Sequence, residues 1–465
     1  MPKLAHLSCF VGFAALLMVN LSAKTAERKK PTHTLRSGRT PGALDQVVVL
    51  LEVGGDVKLV EDGKVKRVKM SAVGNLAYDE KSLELPTGSD RCLRSVRYYN
   101  KATAVIKVGD GGVKPTLRND RRLVGVEADG PTVTLFSPEG TLSRTELDLI
   151  DVLGNSLLLD RLLPEKPVAI GDSWKVPKDV VTALLGLNAV AKSDVECTLS
   201  EVTDTAARVA LAGQVEGAID GVSTEIALKA KYRFDREINR VVWLGLLVKE
   251  VRSIGHVGTG VDAVARLQVQ IRPQTESPRL ADAALKTLSL EPTAELTPLG
   301  YDSAANGWQF THDRCWFVTS DEHDLVVLRM IDRGELVAQC NVASLAKAAA
   351  DRQPSLKGFQ EDVKKALGEN FGQFRKAEQW ASEQDYRVYR VVVQGEASGL
   401  PIHWHYYLIA EERGRQVVFA FTVEEKLIEQ FGEADAKLVG TLRFVDPKVA
   451  LKPKEEPSKA GNTSP

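Results

Sequence analysis

His403 and His405, separated by Trp404, form the sharpest chemical constellation in the chain. On a strand, residues two apart project to one face about 6.5–7 Å from each other, so the pair could offer two imidazole ligands to a metal ion. Zinc would need at least one further ligand and usually four-coordination. His312, His323, Cys315 and Cys340 lie in the same part of the sequence and are the available third partners. The alternation of Ile402, Trp404, Tyr406 and Leu408 assigns those four to a buried face. His403, His405 and Tyr407 then fall on the opposite, wetter face, where two histidines need no metal.

Other chemistry-bearing patterns are thinner. Ser344-Leu345-Ala346-Lys347 fits an S-x-x-K pattern, but neither S-D-N nor K-T-G accompanies it. Gly258-Thr259-Gly260 is too short for a dinucleotide fingerprint, and HExxH, GxSxG and Walker A patterns are missing. Arg91, Arg94 and Arg97, with Tyr98 and Tyr99, make a basic-aromatic cluster that reads as a solvated strand face. Four of the five cysteines, Cys92, Cys197, Cys315 and Cys340, follow the N-terminal apolar segment. They allow one bridge per half, Cys92–Cys197 and Cys315–Cys340, or four small buried residues. With no CxxC, no redox signature is present.

These residues sit in 465 positions, 43% of them hydrophobic and 26% charged, with a formal net charge of -1. Length and balance describe a globular chain of two or three domains. Lys3 precedes an apolar run from Cys9 to Leu21, and Ser22 and Ala23 follow, so residues 1–23 read as a signal peptide cleaved after Ala23. Export to the periplasm or medium is expected, with no integral span after cleavage. Residues 24–42 carry six basic residues and one acid, and are expected to be a flexible leader. Residues 43–300 hold 33 basic and 36 acidic residues, and residues 301–446 hold 17 and 23. Both blocks are mildly acidic, which argues against a nucleic-acid partner.

Residues 43–272 read as an antiparallel β-rich domain, a curved sheet or open barrel. Thr224, Ile226, Leu228, Ala230, Tyr232 and Phe234 alternate with polar neighbours, as do Ala263, Ala265, Leu267, Val269 and Ile271. Five consecutive strands are expected at about 194–201, 206–215, 222–234, 239–251 and 261–271. Leu147–Leu163 is expected to be a helix interrupted at Gly154, and Asp179–Leu187 a short one. Gly171 to Trp174 reads as a turn entering a strand with an aromatic anchor. Residues 273–300, with four prolines, are a linker.

Residues 301–446 read as an α+β sandwich, an antiparallel sheet with packed helices, followed by a disordered tail at 447–465. A helix begins near Pro354 and Ser355, and a second at Thr422 with Glu425 completing a capping box. WQFTHDRCWFV, the helix GFQEDVKKAL, the hairpin HWHYYLIAEERGRQVVFAFTV and the helix EEKLIEQF together resemble the PsbP/Mog1-type sandwich. The resemblance covers about 145 residues. It implies a binding or assembly module and supplies no catalytic residue.

The functional expectation is an exported, non-catalytic protein binding an envelope protein or a small apolar ligand, with the β-rich domain as a cradle. No cofactor is expected. Two alternatives stand beside it: a structural or assembly component of the envelope, and a metal-dependent enzyme using His403 and His405.

Overall fold

The computed structural model describes residues 30–61, 63–83, 92–322, 325–348 and 354–445. The signal peptide, the first part of the leader, Arg91, His323 and the C-terminal tail lie outside them. The first block is one antiparallel sheet. Its path runs Thr132–Phe136, Leu123–Asp129, Cys92–Val108, Lys64–Ser82, Leu44–Glu61, Gly260–Gln274, Arg240–Arg252, Val222–Asp235, Ala206–Ile219, Glu196–Val202 and Ser173–Lys175. Two short strands, Gly111–Val113 and Ala189–Ser193, attach to it. The five-strand meander lies where the alternation places it, and all six inward residues from Thr224 to Phe234 are buried.

The inner face is filled by the chain itself. The helix Arg144–Ile150, the 3₁₀ segment Ser156–Leu162 and the helix Lys178–Leu185 place Leu147, Ile150, Leu158, Leu159, Val181 and Leu184 against Leu228, Tyr232, Leu244, Leu246 and Val269. Gly154 separates the first two at a φ of 70°, a conformation glycine adopts without steric strain. Trp174 anchors the following turn by donating its indole N–H to the Leu162 carbonyl at 3.0 Å.

The leader and the linker depart from expectation. Thr32–His33 pairs with Val168–Ala169, Leu35 is 1% exposed in the main core, and Ser37 donates to Asp160 at 2.7 Å. Residues 32–42 are therefore a docked strap. One leucine and one arginine, Leu35 and Arg39, find buried partners that a charge count cannot show. In the linker, Leu280 and Leu285 bury against Val96 and Leu123.

The second block is a seven-stranded antiparallel sheet ordered Trp316–Glu322, Leu325–Asp332, Glu335–Leu345, Gln416–Glu424, Leu400–Ala410, Arg387–Ala397 and Phe371–Ala381. A three-stranded sheet, Leu299–Ser303, Trp308–His312 and Arg443–Phe444, accompanies it. The helix Leu356–Leu367 covers one face, capped by Ser355, whose hydroxyl accepts from the Gly358 amide. The capping box at Thr422 does not form. Thr422 stays in a strand, and the helical stretch divides into Glu425–Leu427, Ile428–Phe431 and Ala434–Gly440, with Gly432 at a φ of 55°.

The blocks meet where Arg144 donates to the Arg314 carbonyl at 2.6 Å and Arg314 donates to the Leu135 carbonyl, and again turn to turn. Asp220-Gly221 and Arg333-Gly334 are both positive-φ pairs, and a Cβ added to Gly334 would lie 2.7 Å from the Gly221 Cα. Nearby, Arg329 donates to the His256 carbonyl at 2.5 Å. Gly334→Ala is therefore expected to separate the tips and to speed proteolysis within residues 286–298. Unchanged cleavage rates would show that the contact does not hold the blocks.

The four described cysteines form no disulfide with one another, and Cys92, Cys197 and Cys340 are buried. Burial pushes the Cys197 thiol up to about 12 and that of Cys315 up to about 11, so neither is a ready nucleophile. Dithiothreitol is expected to leave the melting temperature unchanged, and a drop of several degrees would indicate a bridge.

Candidate functional site

The strand Leu400–Ala410 is covered on both faces. Ile402, Trp404 and Leu408 pack against Phe359, Val363 and Leu367, as the alternation implies. The opposite face is not wet. His405 is 6% exposed and Tyr407 1%, because Phe431, Leu438 and Val439 of the broken helical stretch close over that face.

Asp435, in the first turn of Ala434–Gly440, descends fully buried into this layer and is its electrostatic centre. Its Oδ2 accepts from His405 Nδ1 at 2.6 Å, Tyr407 Oη at 2.8 Å and Arg390 Nη2 at 2.9 Å. Its Oδ1 accepts from the Ala436 amide at 2.8 Å. Burial alone would raise the Asp435 carboxyl. The hydrogen bond and charge of His405, with Arg390 and Tyr407, outweigh it and hold the carboxyl below the usual range. Burial and the Asp435 charge raise the Tyr407 hydroxyl, so it remains a donor.

A histidine whose Nδ1–H meets a carboxylate could act as a base through Nε2. A cavity of about 160 Å³ beside the hub is lined by Trp380, Tyr386, Tyr407, Val439 and Leu442, and His405 is not part of its wall. His403 stands apart, its Nε2 4.0 Å from Glu425 Oε1. Its burial lowers its proton affinity, against the pull of Glu425. His312 is buried elsewhere, its Nδ1 2.9 Å from the Asp313 carbonyl. Among the described residues no group of three or more His, Cys, Asp or Glu could hold a metal ion. His403 and His405 thus share a strand face, and among the described residues no third ligand stands with them. Ser344 of the S-x-x-K pattern accepts the Trp308 indole N–H at 2.9 Å.

A second buried hub lies in the first block. Arg97 does not face solvent: it is 2% exposed, and its Nε donates to Glu80 Oε1 at 2.8 Å. Glu80, 0% exposed, also accepts from Ser95 at 2.9 Å and Ser156 at 2.8 Å. Arg39 of the strap approaches Glu80 Oε2 at 3.6 Å. Burial works against the Glu80 charge, but Arg97 and Arg39 outweigh it and bring the carboxyl down to about 2. Arg94, the outward member of the cluster, pairs with Glu127 and Glu291. The strand position of Glu80 between Tyr78 and Ser82, both buried, is the only sequence signal for this hub.

Two grooves lie along the large sheet, one of about 590 Å³ lined by Lys192, Asp194, Glu216, Glu225 and Lys249. The other, of about 560 Å³, runs across Leu50, Glu52, Lys229, Trp243, Leu247 and Arg266. Leu50 is 43% exposed and Leu247 40%. The Trp243 indole lies over Gly245, where an added Cβ would come within 2.7 Å of the ring. A glycine at this position is what lets the aromatic ring lie down on the sheet. No helix among the described residues is long and apolar enough to cross a membrane.

No family model matches the sequence, and no curated protein matches it. Among solved structures, a weak likeness to PsbP-like folds covers about a third of the chain. The cyanobacterial PsbP of Synechocystis sp. PCC 6803 is similar over 32% of this chain and 92% of its own, at 14% identity and a TM-score of 0.27. A Bacteroides thetaiotaomicron protein is similar over 31% of this chain and 47% of its own, at 10% identity and a TM-score of 0.24. A Pseudomonas aeruginosa protein of unknown function, described as a putative regulator, is similar over 31% of this chain and 94% of its own, at 12% identity and a TM-score of 0.23. The resemblance is weak and confined to about a third of the chain.

Proposed function

We propose that this is an exported, non-catalytic protein of the cell envelope that binds its partner through the outer face of the large sheet. The observation that carries the reading is the groove at Leu50, Trp243 and Leu247, where large apolar side chains lie beside lysines and arginine. An inner cradle for a small apolar ligand is disfavoured by the packed segment 142–187. The commitment of His405 to Asp435 favours a structural role for that histidine. Fractionation of cells making the full chain, with N-terminal sequencing, tests the location. The protein is expected outside the cytoplasm beginning at Lys24. An intact cytoplasmic chain would contradict the proposal.

A further inference from the structure

Five cations share the outer face with the groove. Lys229, Lys231 and Arg233 are successive outward residues of Val222–Asp235, Lys249 follows Leu247 on the next strand, and Arg266 lies one strand further. Among the described residues none of the five has a carboxylate within ion-pairing distance. Other cations of the same sheet do: Lys192 pairs with Glu216, and Arg208 with Glu201. Glu52 and Glu225 stand near the five on this face, Glu196 lies two strands from Lys229 in the same row, and Asp262, paired with Arg67, lies diagonally from Lys249.

Exposed apolar side chains run through the same surface. Val105 pairs with Val73, Val73 with Glu52, Glu52 with Arg266, Arg266 with Leu247, and Leu247 with Lys229. One row of side chains therefore crosses six strands, about 24 Å at the usual strand spacing. Leu50 and Val264 flank it, and Val73, Val105 and Val264 are each about two-fifths to one-half exposed. This width exceeds what one small ligand covers, and the cations occupy one side of it while the apolar residues extend to the other. Trp243 lies within the cationic side, opposite Arg233, and tryptophan favours membrane–water interfaces because one part of its ring system is apolar and its N–H is polar.

We infer that the outer face of the large sheet docks on an anionic phospholipid surface, with Lys229, Lys231 and Arg266 meeting headgroup phosphates and Leu50, Trp243 and Leu247 entering the headgroup–acyl boundary. Charge complementarity selects an anionic partner, and the extent of the row, apolar and charged residues together, selects a surface. The inference rests on the envelope reading given above.

Flotation of the full chain with vesicles of equal parts phosphatidylglycerol and phosphatidylcholine tests it, against vesicles of phosphatidylcholine alone. The chain is expected to float with the anionic vesicles and to be released by salt, since exposed charges are screened. Lys229→Glu/Lys231→Glu/Arg266→Glu should reduce partitioning at least tenfold. Leu247→Ser should reduce it while leaving the salt response in place. All four positions are on the outer face, and an unchanged circular dichroism spectrum verifies folding. Equal binding to neutral vesicles, no binding, or undiminished binding of the triple variant, which would point to the basic leader, each overturns the inference. Export without vesicle binding would defeat only the lipid surface and leave the envelope reading standing. A cytoplasmic chain that still binds vesicles would defeat the envelope reading alone. Capture of an acidic protein that needs Lys229 and Arg266, without vesicle binding, would replace the lipid by a protein partner.

Discussion

Glu80→Gln is expected to lower the unfolding free energy by about 3–5 kcal/mol, measured by urea denaturation at pH 7. Removing one partner of a buried ion pair leaves the other charged and desolvated, and Arg97 is 2% exposed with its Nε on Glu80. The amide can still accept from Ser95 or Ser156, so the loss isolates the charge. The pH dependence is a second readout. The folded-state carboxyl is depressed from 4.5 to about 2. Its stabilisation is therefore fully present above about pH 4.5 and is lost as pH falls toward 2. The depression corresponds to about 3 kcal/mol. The acid limb of the stability curve should be flatter in the variant. An unchanged acid limb, or a loss below about 1 kcal/mol, would remove Glu80 from the centre of the first core.

Asp435→Ala is expected to destabilise by a similar amount, about 3–5 kcal/mol, because one carboxylate oxygen satisfies His405, Tyr407 and Arg390 together. The Asp435 carboxyl is also held low. Its contribution too is present above the ordinary aspartate range and falls away as the solution is acidified. Asp435→Asn should retain part of the stability, since its carbonyl can still accept from Tyr407. If His405 instead served catalysis, Asp435→Asn would leave the melting temperature nearly unchanged. Calorimetry of the two variants separates those outcomes.

The contrast between the two blocks shows what alternation can reveal. Where one face is apolar and the other charged, as from Thr224 to Phe234, the inward side is legible residue by residue. The strand Phe371–Ala381 is not, because it is an edge strand, largely exposed along both faces, with register shifts that break any period of two. His405 and Glu80 are hidden from a sequence reading for a related reason. Each is a polar residue on a face that is sealed by a segment distant in sequence, Ala434–Gly440 for His405 and Ser156–Leu162 for Glu80. Strand periodicity assigns such residues to water, whereas only tertiary closure assigns them to a core. The docked strap at residues 32–42 has the same origin: its net charge describes a leader, and the burial of the Leu35 and Arg39 side chains depends on partners more than forty residues away. The outer groove is illegible because Leu50, Trp243 and Leu247 come from separate strands and are joined only by register.

On the proposal above, the working surface is the outside of the large sheet and the His405 hub is structural. Carbene footprinting of the full chain with and without envelope membranes from its host tests it most directly. Protection is predicted at Leu50, Trp243, Leu247 and Arg266, with labelling of His403 and the Phe371–Ala381 strand unchanged. Protection centred on His403 and Trp380, with Trp243 and Leu247 labelled as in the free protein, would contradict it.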